Sequence, residues 1–111
     1  MTLNINRVFP RNWYAVSYLK DLKKIPVKKR VAGKDFVLYR DENGEVQALS
    51  PYCPPRGADL SLGTVVNGTI VCPYHGWEFN GCGTCIRIPS QPNKPIPKFA
   101  HTMSYPVKEK I

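Results

Sequence analysis

Six side chains offer the soft and nitrogen metal ligands of this sequence: Cys53, Cys72, Cys82 and Cys85, together with its two histidines, His75 and His101. Zinc hydrolases and non-haem iron oxygenases commonly commit two or three imidazoles to one metal, so both histidines would have to converge. The cysteines have more informative neighbours. Cys53-Pro54-Pro55-Arg56-Gly57 and Cys72-Pro73-Tyr74-His75-Gly76 are two short loops, each opening on Cys and closing on Gly. Proline stiffens such loops, and glycine lets backbone amides approach whatever lies between them. Amides aimed at sulfur stabilise the negative charge of an iron–sulfur cluster. A rival set is Cys72-x-x-His75 followed by Cys82-x-x-Cys85, which has zinc-type spacing but leaves Cys53 without a role. Residues 1–12 lack the apolar stretch of a signal peptide, so metal binding is favoured over disulfides and the chain is expected to be cytoplasmic.

Both loops need a rigid platform, and the surrounding pattern reads as strands broken by turns. Residues 13–19 mix aromatic and apolar side chains and open the domain. Pro26 and the lysines around it suggest a loop, or an edge strand that lysine protects from pairing with other chains. Phe36-Val37-Leu38-Tyr39 and Val46-Gln47-Ala48-Leu49 flank Asp41-Glu42-Asn43-Gly44, a hairpin signal because Asn and Gly tolerate the positive φ of a tight turn. Val65-Val66, Asn67-Gly68 and Thr69-Ile70-Val71 repeat the device. Trp77-Glu78-Phe79 and Ile86-Arg87-Ile88 predict a third hairpin, residues 89–97 an extended proline-rich surface loop, and residues 103–108 a last strand. Eleven prolines argue against long helices. The sum is an all-β antiparallel sandwich or barrel.

With 111 residues the chain has room for one domain, 1–111, and not for separate cofactor and substrate domains. No apolar run approaches 18 residues, so no membrane span is expected. The formal charge is +8, and Lys20, Lys23, Lys24, Lys28, Lys29, Arg30 and Lys34 crowd one early stretch. That stretch is either a solvated face or a surface for an acidic redox partner. Nucleic acid is not expected, because no recognition helix or RNA-binding signature accompanies the run.

Ser50-Pro51-Tyr52-Cys53-Pro54-Pro55-Arg56-Gly57-Ala58-Asp59-Leu60-Ser61 and Cys72-Pro73-Tyr74-His75-Gly76-Trp77-Glu78-Phe79 resemble the two cluster-binding loops of Rieske proteins. The likeness is to the N-terminal domain of Rieske-type oxygenases of the pheophorbide a oxygenase-like group. It extends to Asn12-Trp13-Tyr14, to the segment from Gly33, to residues 83–89 and to Tyr105-Pro106-Val107. The resemblance implies a Rieske-like β-sandwich with a small cluster-binding subdomain, loops near 50–60 and 72–77, and a [2Fe-2S] cluster. In such centres two thiolates hold one iron and two imidazoles the other.

Carried over residue by residue, Cys53 and Cys72 take the inner iron and His75 the outer. The second imidazole belongs at position 55, where this chain has Pro55. Cluster occupancy is therefore open, and a cluster-free or zinc-bound Rieske-fold binding module stands as the alternative. Cys85 occupies a position where the family often has a packing cysteine. Trp77 stands where high-potential Rieske proteins have a serine donor, and Ala58 and Tyr74 stand at their disulfide positions, which implies a low potential. The resemblance further implies a redox protein partner (a reductase, a ferredoxin or an oxygenase catalytic domain). It also implies that the chain is a truncated or standalone N-terminal portion, with no complete catalytic site of its own.

Overall fold

The computed structural model describes residues 2–5, 22–54 and 57–108. The expected strand at 13–19, Lys20, Pro55 and Arg56 lie outside the described residues. Ten short strands run in chain order: β1 (Leu3–Asn4), β2 (Val27–Val31), β3 (Lys34–Arg40), β4 (Val46–Leu49), β5 (Thr64–Val66), β6 (Thr69–Val71), β7 (Glu78–Phe79), β8 (Cys85–Arg87), β9 (Ser104–Tyr105) and β10 (Val107–Lys108). A 3₁₀ turn, Leu60–Leu62, precedes β5. Among the described residues no helix is long and apolar enough to cross a membrane.

Two antiparallel four-stranded sheets form the body, ordered β2-β3-β4-β9 and β5-β6-β7-β8, while β1 and β10 make a small parallel pair. The local sequence accounts for the turns. Asn67 and Gly68 both take positive φ, 49° and 80°, as the two-residue β5–β6 turn requires. The β3–β4 turn works differently. There only Gly44 has positive φ, and the Asp41 carboxylate holds the turn by accepting from the Asn43 and Glu45 amides. The basic segment after Pro26 is indeed an edge strand, β2, paired with β3 from Val27–Leu38 to Val31–Lys34. The single strand expected over 103–108 is instead two. Pro106 separates β9, which pairs with β4, from β10, which pairs with β1, since proline has no amide to continue a ladder.

Strand β3 is buried on both faces. Phe36 and Leu38 enter one core with Leu3, Ile5, Leu22, Val46 and Ala48. Val37 and Tyr39 enter the other, between the sheets, with Leu49, Leu60, Ile70 and Phe79. The second core also contains Cys53, Cys72 and Cys85. The cysteine loops are thus rooted in the interior.

Candidate metal centre

The two loops are built alike. In the first, the Cys53 amide donates to the Ala58 carbonyl at 2.8 Å and the Gly57 amide donates back to the Cys53 carbonyl at 2.9 Å. In the second, the Cys72 amide donates to the Trp77 carbonyl at 2.8 Å and the Gly76 amide to the Cys72 carbonyl at 3.1 Å. Both glycines have positive φ, 69° and 72°, which is the conformation that closes each loop. The closures bring two cysteines to equivalent positions on facing loops.

Cys53 and Cys72 are both buried in the same core cluster, and neither is in a disulfide. Burial first, and then the neighbouring Cys72 thiol, push the Cys53 thiol up to about 12. Without a cation Cys53 therefore holds its proton, and a soft metal would displace it to gain a thiolate ligand. His75 lies on the exposed side of the second loop, its ring edge-on to Tyr74 with centroids 4.6 Å apart. Two inner sulfurs and an outer imidazole suit a centre with two metal positions, in which they serve different ions. Among the described residues no three or more His, Cys, Asp or Glu side chains converge on one point that a single ion could occupy.

The zinc-type set accordingly gets no site. β7 and β8 pair Glu78 with Arg87 and Phe79 with Cys85, so the loop carrying Cys72 and His75 lies at one end of the hairpin and Cys82 at the other. Three residues of strand, roughly 10 Å, separate the ends. Cys82 sits exposed in a turn whose Asn80 side chain accepts from the Cys82 and Thr84 amides. Cys85 is a core residue, as expected. His101 pairs with Thr84 beside the same distant turn, and its Nδ1 is 3.1 Å from the Lys98 carbonyl.

A pairing that the sequence does not announce, between the basic stretch and the first-loop segment, fastens the first loop. Lys28, on β2, donates to the Asp59 carboxylate at 2.7 Å. Asp59 also accepts from the Ser61 amide and hydroxyl, capping the 3₁₀ turn. Partial burial alone would raise the Asp59 carboxyl, yet the hydrogen bonds from Lys28 and Ser61 hold it below its ordinary value. Tyr52, bridged to Asp59 through the backbone, donates its hydroxyl to Asp35 at 3.2 Å, and Asp35 pairs with Arg30 at 3.3 Å. Lys28 and Asp59 are 31 residues apart, beyond the reach of any local pattern. The second loop is held from its own neighbourhood. Arg87 pairs with Glu78 at 3.2 Å, and Trp77 lies against Phe99 with centroids 6.4 Å apart.

Comparison with known proteins gives this arrangement its place. Residues 12–106 match the Rieske [2Fe-2S] domain. The chain belongs to the Rieske family. Among curated relatives, the oxygenase component of dicamba O-demethylase from Stenotrophomonas maltophilia is 40% identical over 103 residues, which are 92% of this chain and 30% of that protein. Cholesterol 7-desaturase nvd 1 of Ciona intestinalis is 38% identical over 104 residues, 92% of this chain and 22% of its own length. Among solved structures, apo dicamba monooxygenase superposes with a TM-score of 0.72 at 39% identity, over 79% of this chain and 27% of that one. NdmA of Pseudomonas putida CBB5 gives 0.72 at 32% identity, over 78% and 28%. This Rieske chain spans less than a third of the length of these relatives. The family implies a [2Fe-2S] cluster and an electron-transfer role.

Proposed function

We propose that this Rieske domain carries single electrons in an oxygenase or ferredoxin system, using a [2Fe-2S] cluster held by Cys53, Cys72 and His75. The observation that carries the reading is that Cys53 and Cys72 are buried in one core cluster on two loops closed in the same way. When bound, such a cluster supplies a one-electron reservoir. The chain's own part is to present two thiolates from inside the core, an imidazole from the exposed second loop, and a dry wall around the sulfurs. Leu60, Phe79 and Cys85 belong to that buried wall. A serine donor after Gly76 is replaced by Trp77, which supports a potential at the low end of the Rieske range.

Pro55 stands at the position of the family's second imidazole and has no donor to offer. An outer iron held there would be one protein ligand short, so either water, hydroxide, a buffer thiol or a displaced side chain would complete it or the cluster would assemble poorly. The partner is an acidic redox protein, recognised by the basic run that includes Lys23, Lys24, Lys28, Lys29, Arg30 and Lys34.

The test compares parent and Pro55→His side by side for iron, acid-labile sulfide and the EPR of the dithionite-reduced protein. Pro55→His should load more cluster, be easier to reduce and show a two-imidazole Rieske spectrum, while the parent is weakly loaded or spectrally distinct. A parent that already shows that spectrum overturns the missing-ligand assignment. Normal iron content in both Cys53→Ser and Cys72→Ser overturns the ligand set itself.

A further inference from the structure

The basic strand and the first cysteine loop share one residue. Lys28 lies on the edge strand β2, with its side chain 39% exposed, and its ammonium holds the Asp59 carboxylate. Asp59 in turn anchors the 3₁₀ turn after the loop and pairs by its backbone with Tyr52, the residue before Cys53. Among the described residues no strand pairs with the outer edge of β2. Arg30 is two residues further along the same face of β2 and 68% exposed, so two partly exposed cations line the strand that fastens the loop. Among the described residues no ion pair links the second loop to β2; Glu78 pairs with Arg87 within one hairpin.

We propose that the β2 edge docks an acidic protein partner and that its carboxylates compete with Asp59 for Lys28, so that docking selectively loosens the loop holding Cys53. The occupant is set by charge. Carboxylates are what Lys28 and Arg30 already bind in the resting protein, at Asp59 and Asp35. This coupling rests on the proposed docking of an acidic redox partner. By linkage it is reciprocal: whatever fixes the first loop against Asp59 weakens docking by the same factor that docking loosens the loop. A partly exposed ion pair supports only a small effect, about two- to fivefold.

Amide hydrogen exchange of the full chain at low salt, with and without a polyglutamate peptide as the probe, tests it. The probe should speed exchange of the Cys53 and Gly57 amides about two- to fivefold and leave the Cys72 and Gly76 amides unchanged. Lys28→Gln should exchange fast at the first loop without probe and respond no further. Asp59→Asn should show the same fast first loop but bind polyglutamate more tightly by that factor. Equal response of the two loops, no response in either, or no binding overturns the coupling. An oligonucleotide that outcompetes polyglutamate and gives the same response overturns the acidic-protein assignment. The exchange readout needs no cluster, so a chain without iron that still shows the coupling refutes the cluster reading alone.

Discussion

A single methyl group at Gly63 should damage the centre without touching a ligand. Gly63 follows the 3₁₀ turn that ends the first loop, and a Cβ built there would stand 1.9 Å from the Val71 carbonyl oxygen and 3.1 Å from its carbon. Val71 immediately precedes Cys72. The Gly63 backbone itself is extended, at φ −86° and ψ −155°, so alanine adds no torsional strain and the collision is purely steric. Restoring an ordinary 3.4 Å contact requires the carbonyl to retreat by about 1.5 Å. Both sides are backbone, so no rotamer change relieves it, and overpacking of this kind costs about 2–3 kcal/mol. In a domain of this size that lowers Tm by roughly 8–15 °C. It also moves Cys72 away from Cys53, so metal content should fall further than stability. The assay is thermal unfolding together with iron per chain, set beside Gly57→Ala. At Gly57 the φ is +69° but nothing lies within 4 Å, so alanine there reports torsional strain alone. A Gly63→Ala protein with the parent's Tm and iron content refutes the reasoning.

Other expectations are independent of that contact. Asp59 is held below its ordinary carboxyl value, so its stabilisation is complete above about pH 4 and is lost as pH falls through the lowered value; Asp59→Asn should flatten the acid limb of an unfolding titration by about 0.5 kcal/mol. Lys28 has the opposite sign. Raised above 10.5 chiefly by its hydrogen bond to Asp59, its contribution holds below that value and fades as pH rises past it, so the parent should lose its advantage over Lys28→Gln in strongly alkaline unfolding titrations. The Tyr39 hydroxyl is buried, has no partner among the described residues, and burial holds its proton on strongly, so Tyr39→Phe should raise stability by about 1 kcal/mol, read as a higher Tm. Cys85→Ala removes a buried side chain from the core, not a ligand, so iron content should stay at the parent level while Tm falls a few degrees.

The hairpins and both cysteine loops were legible because their information is local. Asn67-Gly68 specifies a turn by itself, and a Cys-to-Gly loop announces its closure in five residues. What was not legible depends on distant pairing. Leu3 and Asn4 look like nothing in isolation, and become a strand only beside Val107 and Lys108. The β2–β3 turn places Ala32 at φ 52° ahead of Gly33 at 77°, a conformation no alanine advertises. The Lys28–Asp59 tether and the Gly63–Val71 approach likewise join segments whose spacing carries no period. The one strand expected over 103–108 failed for a simpler reason. Pro106 was counted as part of a strand that its missing amide divides.

The two-faced burial of β3 bears on how the protein tolerates a change of charge. Because alternate side chains of one strand belong to different cores, neither core can shift relative to that strand without disturbing the other. Cys53 and Cys72 hang from the core on one side, and Leu3 and Ile5 brace the strand from the opposite side. Groups fixed this way would have little room to relax if a cluster held between the loops gained or lost an electron. The protein's share of the reorganisation energy would then be small.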